Sequence, residues 1–174
     1  MIKNYNAYKV LSVFFRQPTK KFHKRDISRV LDLGLPSVSN YLEILEKEGF
    51  VTRNKDGLYE TYTGSFNDLF KLYKTAYNLV SIHKSGLIDF LIKEFTPNCV
   101  ILFGSSSRGE DIETSDMDIF MVAGQKEVDL QRFEDALGRK ISIHAIDDFS
   151  SLSKELKNNI LNGIKLYGYI EAFI

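Results

Sequence analysis

Val100-Ile101-Leu102-Phe103-Gly104-Ser105-Ser106-Ser107-Arg108-Gly109-Glu110, followed after four intervening residues by Ser115-Asp116-Met117-Asp118-Ile119, is the stretch on which the reading of this chain turns. Its first four residues form a short apolar run closed by glycine, which predicts a buried strand. That strand delivers a Gly-Ser turn opening a short helix, whose free N–H groups and Ser105 hydroxyl suit phosphate oxygens. Gly104 lets the backbone approach a ligand closely. Arg108 either adds a phosphate contact or pairs with Glu110, Asp111 or Glu113. Asp116 and Asp118 stand two apart at the edge of a second strand, so they point the same way. Two carboxylates beside a phosphate cradle suit a hard divalent cation, Mg²⁺ or Mn²⁺, which takes a few carboxylates together with substrate phosphates. Such an ion would bridge the phosphates and neutralise charge as a nucleophile attacks the α-phosphorus.

Working outward, Asn67 to Phe95 carries apolar residues at helical spacing from Leu69 through Phe95, with Gly86 placed to break or bend it. The aromatics Tyr73, Tyr77, Phe90 and Phe95 are most simply core. After Asp118 come the rest of a strand (Met117 to Val122), a helix (Asp129 to Leu137), a strand (Lys140 to Ala145) and a C-terminal helix (Phe149 to Leu161). Asp147 and Asp148 are placed for an N-cap. Alternating helices and strands predict an α/β sandwich with a small mixed sheet for residues 84–174.

The front of the chain reads differently. Asn6 to Phe15 has a helical apolar pattern closed by Pro18. Lys24 to Leu33 repeats it with Ile27, Val30 and Leu31, and Gly34 stands where a C-cap belongs. A third helix opens with Pro36 in its first turn and ends at Gly49, with Val38, Leu42 and Leu45 on one face. Phe50 to Arg53, an Asn54-Lys55-Asp56-Gly57 turn and Leu58 to Thr63 then predict a hairpin. The order is three helices and a hairpin over residues 1–64, with residues 65–83 as a connector helix.

Charge divides along the same line. Residues 1–64 hold 11 Lys and Arg against 7 Asp and Glu, whereas residues 65–174 hold 12 against 16. A basic front and an acidic rear suggest two different partners. No apolar run approaches the roughly 20 residues that cross a bilayer, and Met1 to Lys9 shows no signal-peptide apolar core, so no membrane partner is expected. The single cysteine, Cys99, rules out an internal disulfide and fits a cytoplasmic location. His23 and His83 are isolated and show no metal-ligand spacing.

In a helix-turn-helix, the second helix enters the major groove. Here that helix shows Ser37, Ser39 and Asn40 outward near its start, short donors and acceptors for base edges or phosphates. Lys24, Arg25, Arg53 and Lys55 are placed to neutralise phosphates of double-stranded DNA. Glu43, Glu46 and Glu48 confine any groove contact to the first two turns. The run from Asp26-Ile27-Ser28 through Ser37-Val38-Ser39-Asn40-Tyr41-Leu42 to Glu48-Gly49-Phe50-Val51 resembles the winged-helix family of prokaryotic transcription regulators, over roughly residues 4–63. The resemblance implies DNA binding, and winged helices commonly work as homodimers; residues 67–95 are the natural place for such a contact.

The glycine-serine turn with its two aspartates resembles the minimal nucleotidyltransferases of the DNA-polymerase-β-like superfamily, whose signature is G-S-x-A-R-G-E…S-D-[IVL]-D-[LIV]. The match runs from Phe103 to Ile119, and the resemblance extends over about residues 84–174, where Asn158 to Gly168 is similar to the family's C-terminal helix and following strand. It implies that Gly104 and Ser105 hold the triphosphate of an NTP and that Asp116 and Asp118 bind metal and serve catalysis. The family's third carboxylate, in G-R-x-V-D-[LV]-V, falls on Gly138-Arg139-Lys140-Ile141-Ser142-Ile143-His144, with serine where aspartate is expected. His144 is either a stand-in ligand or base, or a packed or hydrogen-bonded histidine. Three outcomes stay open: slow catalysis, nucleotide binding without turnover, or a base supplied by a partner or the substrate. The expected activity is Mg²⁺-dependent transfer of a nucleoside monophosphate to a hydroxyl of a protein or small molecule. The resemblance also admits an antitoxin-type role on a partner toxin. The alternative is a transcription regulator whose degenerate transferase domain senses nucleotide or dimerises.

Overall fold

A computed structural model describes residues 5–56 and 59–170. The chain divides into two compact units, Met1–Tyr77 and Asn78–Ile174, with the boundary inside a single helix.

The first unit holds α1 (Asn6–Arg16), α2 (Lys24–Leu31), α3 (Leu35–Lys47) and a hairpin of β1 (Val51–Asp56) and β2 (Tyr59–Gly64). The apolar stripes meet in one core. Val10, Phe14 and Phe15 from α1, Ile27 from α2 and Val38, Leu42 and Leu45 from α3 pack with Phe22, Tyr62 and Phe70. Phe22 also exchanges both backbone hydrogen bonds with Tyr62, so the hairpin gains a third, one-residue partner. α2 begins with a capping box in which the Asp26 carboxylate accepts from the His23 N–H at 3.0 Å. This gives His23 a structural role.

Local details depart from the sequence expectation. α2 stops at Leu31 because Asp32 takes the left-handed conformation (φ 51°), a role tolerated by short polar side chains. Gly34 instead serves as the N-cap residue of α3, whose first turn carries the expected proline. Val30 is 69% exposed rather than in the core. β1 continues through Asn54, Lys55 and Asp56, pairing Asp56 with Tyr59, so these residues are strand and not turn. Gly57, the last residue of the expected turn, lies outside the described residues. Tyr73, expected in the core, is 48% exposed although its ring edge meets Phe50.

α4 (Asp68–Ser85) and α5 (Leu87–Phe95) are separated by Gly86 at φ 76°, the anticipated break. The second unit is a four-stranded mixed sheet in the order β5-β4-β3-β6, made of β3 (Cys99–Phe103), β4 (Met117–Val122), β5 (Ile141–Ile146) and β6 (Ile164–Gly168). β3 runs antiparallel to β4 and β6, and β4 runs parallel to β5. β3 is buried at all five positions, as its unbroken apolar run requires. One face of the sheet packs against Ile82, Leu87, Ile88, Leu91 and Phe133. The other carries Cys99, Ile101, Phe103 and Phe120 against Phe149 and Ile160.

The remaining helices are the single turn α6 (Gly104–Ser107), α7 (Gln131–Leu137) and α8 (Lys154–Leu161). The expected helix from Phe149 to Leu161 is broken in two. Asp148 caps a short 3₁₀ turn (Phe149–Ser151) by accepting from the Ser150 N–H, and Ser153 starts α8 by accepting from the Leu156 N–H. Two caps five residues apart impose two helical starts. No helix among the described residues is long and apolar enough to cross a membrane.

Candidate active site

β3 and β4 bring the turn and the carboxylates together. Phe103 pairs with Asp118 in the β3–β4 register, so the chain turns into α6 directly beside the Asp118 side chain. Gly104 sits at φ 69°, in the left-handed region, and a Cβ added there would lie 2.5 Å from Asp118 Oδ2. Glycine is required twice over, by backbone conformation and by the carboxylate packed against its Cα. Ser105 is half-buried at the start of the turn. Its carbonyl accepts from the N–H groups of Arg108 (3.1 Å) and Glu110 (3.0 Å), and Ser107 Oγ donates to the Gly104 carbonyl at 2.8 Å. The fully buried Ser106 donates to the Asp116 carbonyl at 3.4 Å, tying the turn to the entrance of β4.

Asp116 is exposed, and the Asp118 side chain is 30% exposed. Among the described residues no three His, Cys, Asp or Glu side chains converge into a group able to hold a metal ion. Two hard oxygen donors with an open side nevertheless fit Mg²⁺, which keeps several waters and takes substrate phosphates as ligands. The cradle left by the missing Cβ of Gly104 places one of these carboxylates against the turn. Arg108 pairs with Glu110 at 2.8 Å.

β5 supplies the neighbouring wall. Ser142 is the Cα partner of Asp118 in the parallel β4–β5 register, the place where the resemblance expected a third carboxylate. Ser142 Oγ hydrogen-bonds His144 Nε2 at 3.2 Å, and the same nitrogen is 3.7 Å from Asp118 Oδ1. The His144 ring stands edge-on to Phe103, with centroids 5.3 Å apart, and its side chain is 42% exposed. His144 is therefore hydrogen-bonded and also adjacent to the Asp118 carboxylate. On the Asp116 side, Lys140 donates to Glu134 at 2.6 Å. That hydrogen bond holds the Lys140 ammonium above its ordinary value, with the charges of Asp135 and Asp116 adding in the same direction. The same bond, joined by one from the Ile141 N–H, holds the Glu134 carboxyl below its usual range.

Three site-building residues were missed in the sequence. Asn78 of α4, 2% exposed, donates to the Ser106 carbonyl and to Asp111 Oδ1, both at 3.0 Å. Asp111 is fully buried and ion-paired to Arg139 Nη2 at 2.9 Å, and Arg139 Nη1 also donates to the Ile112 carbonyl. The loop between α6 and β4 is thus held from below by α4 and from the side by the start of β5. A polar Asn in an apolar helical run was the one local hint. In the sequence Arg139 stands only beside the position where the third carboxylate is expected.

The model of the family described as polymerase beta, nucleotidyltransferase matches residues 85–171, half of the chain. The chain belongs to this family. The matched segment contains the turn, both carboxylates and the whole sheet of the second unit, so the nucleotidyltransferase assignment rests on the part of the molecule that holds the candidate site. No curated protein and no solved structure matches the chain.

The residues read as a DNA surface lie in the first unit. Ser37 and Asn40 are exposed on α3 and Ser39 is half-buried. Arg25 and Lys55 are exposed. Lys24 pairs with Glu60 at 3.4 Å, and Arg53 pairs with Glu46 at 2.7 Å and Glu60 at 3.5 Å. These two cations are partly compensated within the unit, a pairing that no local pattern announced.

Proposed function

We propose that this nucleotidyltransferase-family chain binds an NTP with a divalent cation and transfers its nucleoside monophosphate to a hydroxyl. The observation that supports this reading most is the Asp118 carboxylate packed against Gly104, which brings the glycine-serine turn and that acid together. Gly104 and Ser105 would receive triphosphate oxygens, and Asp116 and Asp118 would hold Mg²⁺ or Mn²⁺. When bound, the cation supplies charge neutralisation at the reacting phosphate. The acceptor oxygen forms a bond to the α-phosphorus, the bond to the β-phosphate oxygen breaks, pyrophosphate departs with that electron pair, and the hydroxyl proton is released to solvent. The chain's part is to fix the turn and the acids relative to each other, through Asn78, Ser106 and the Asp111–Arg139 pair.

The first unit is the part we assign to duplex DNA. Three helices, a hairpin and the Phe22–Tyr62 bridge support a winged-helix reading, with Ser37, Ser39 and Asn40 on the outward side of α3. Since Lys24 and Arg53 are held by glutamates, Arg25 and Lys55 are expected to dominate phosphate attraction. A second reading, a regulator that binds nucleotide without turnover, is favoured by one observation: Ser142 occupies the position opposite Asp118.

The test is a titration of Mg²⁺ and each NTP into wild type and Asp116→Ala/Asp118→Ala, followed by incubation with α-labelled NTP. The expected result is metal-dependent binding lost in the double variant, with the wild type transferring label to a hydroxyl of the protein itself or slowly to water as pyrophosphate is released. Binding without release selects the regulator, and absence of binding sinks both nucleotide readings. In the same preparation, duplex binding at low salt is expected to weaken in Arg25→Ala/Lys55→Ala, with a shallower salt dependence. A chain that binds no duplex at low salt overturns the DNA assignment.

A further inference from the structure

α4 distributes its side chains against the habit of a surface helix. Its buried positions include Phe70 and Ile82 but also the polar Lys74 and Asn78. On the outward side, every exposed residue from position 69 to 82 is apolar: Leu69, Leu72, Tyr73, Ala76 and Val80. Leu72 is 65% exposed, and Leu69, Tyr73 and Val80 lie between 43% and 48%. Spaced i, i+3, i+4, i+7 and i+11, the five share one arc of about 100° around the helix. That arc runs for about 17 Å along the axis. Apolar residues exposed singly are ordinary, whereas a continuous stripe of them marks a contact surface. Exposed charge is confined to the two ends of the stripe, with Asp68 in the first turn and His83 and Lys84 in the last.

We propose that this face of α4 is the contact between two copies of the chain, packed antiparallel about a two-fold axis. A two-fold makes one patch serve as its own complement. Antiparallel packing sets the acidic first turn of each α4 beside the basic last turn of the other and opposes the two helix dipoles. Parallel packing would set Asp68 against Asp68 and Lys84 against Lys84. Size gives the register. Leu72 is the most exposed of the four large side chains, and the short Ala76 leaves a recess one turn away. With the axis between them, Leu72 of each copy fills the recess at Ala76 of the other, a knob in a hole. A nucleic-acid backbone or an anionic membrane surface would call for cations along the stripe, and its five residues supply none. A single helix pair lies at the small end of protein interfaces, so the dimer dissociates on dilution.

The experiment is sedimentation equilibrium of the full chain without nucleotide, from about 1 µM to about 1 mM. The wild type is expected to pass from monomer to dimer within this range. Leu72→Glu/Val80→Glu is expected to weaken the dimer about tenfold or more, because the packed faces would then bury unpaired carboxylates. Both positions are exposed in the single chain, so the variant keeps the wild-type circular dichroism and melting temperature. Orientation is read by oxidation, for which the native Cys99 is buried. Chains carrying Leu72→Cys are expected to cross-link to chains carrying Ala76→Cys, since a disulfide needs α-carbons within about 7 Å. A wild type that stays monomeric up to about 1 mM overturns the assignment, as does a dimer equally tight in Leu72→Glu/Val80→Glu. Leu72→Cys chains that cross-link to one another and not to Ala76→Cys chains overturn the antiparallel register.

Discussion

Ser142→Asp is expected to raise the rate of pyrophosphate release from Mg²⁺–NTP by about 10²-fold, at the lower end of what a positioned base contributes. The argument is one of register. Asp118 and Ser142 are direct partners on the parallel strands β4 and β5, so their side chains leave the sheet on the same face. A carboxylate at 142 would stand beside Asp118 where serine offers only a neutral hydroxyl, now bonded to His144 at 3.2 Å. It would add a hard oxygen ligand and a group able to accept the acceptor proton. Ser142→Asn has the same size without the charge and is expected to stay at the wild-type rate. Equal rates for the aspartate and asparagine variants, measured by pyrophosphate release, would falsify the view that position 142 limits turnover.

Arg139→Met is expected to destabilise the second unit by about 3 kcal/mol, because it removes one ion-pair partner of a buried carboxylate. The side chains of Arg139 and Asp111 are 5% and 0% exposed. Methionine retains much of the volume but leaves Asp111 with one charge fewer to face and the Ile112 carbonyl without its donor. For a chain of this size the melting temperature should fall by roughly 6–12 °C. Lys126→Met, at the exposed pair with Glu94, should cost less than about 1 kcal/mol. Thermal unfolding of both variants side by side decides the point: similar small losses would mean that the Asp111–Arg139 pair contributes no more than a surface contact.

The parts of this molecule that could be read in advance are those whose signal is local. An apolar run before a glycine specified β3. The apolar run that begins around Asp118 marked β4 at its observed limits, Met117 and Val122. Helical spacing found the core of the first unit down to Val38, Leu42 and Leu45. What failed locally did so at chain stops. Asp32 could take the conformation assigned to Gly34, and the strand β1 could run on through residues whose composition favours turns.

What escaped altogether depended on closure of the chain. Asn78 meets Asp111 across 33 residues and Ser106 across 28, and Arg139 reaches Ile112 across 27. Nothing in the neighbourhood of any one of these residues reveals its partner. The pairing of Lys24 and Arg53 with Glu60 is of the same kind: the charges were visible, and their mutual compensation required the hairpin to fold back beside α2.

β5 is an edge strand of the sheet, bonded to β4 alone, while the aspartate at 118 belongs to an interior strand. A replacement at 142 therefore meets one backbone neighbour and open space, whereas a replacement at 118 is felt on both sides. On the roles proposed above, the acid that would anchor the cation lies on an interior strand and the position that would set the rate lies at the rim. On the proposed roles, a single replacement at that rim would alter turnover while leaving the strand that carries Asp118 as it is.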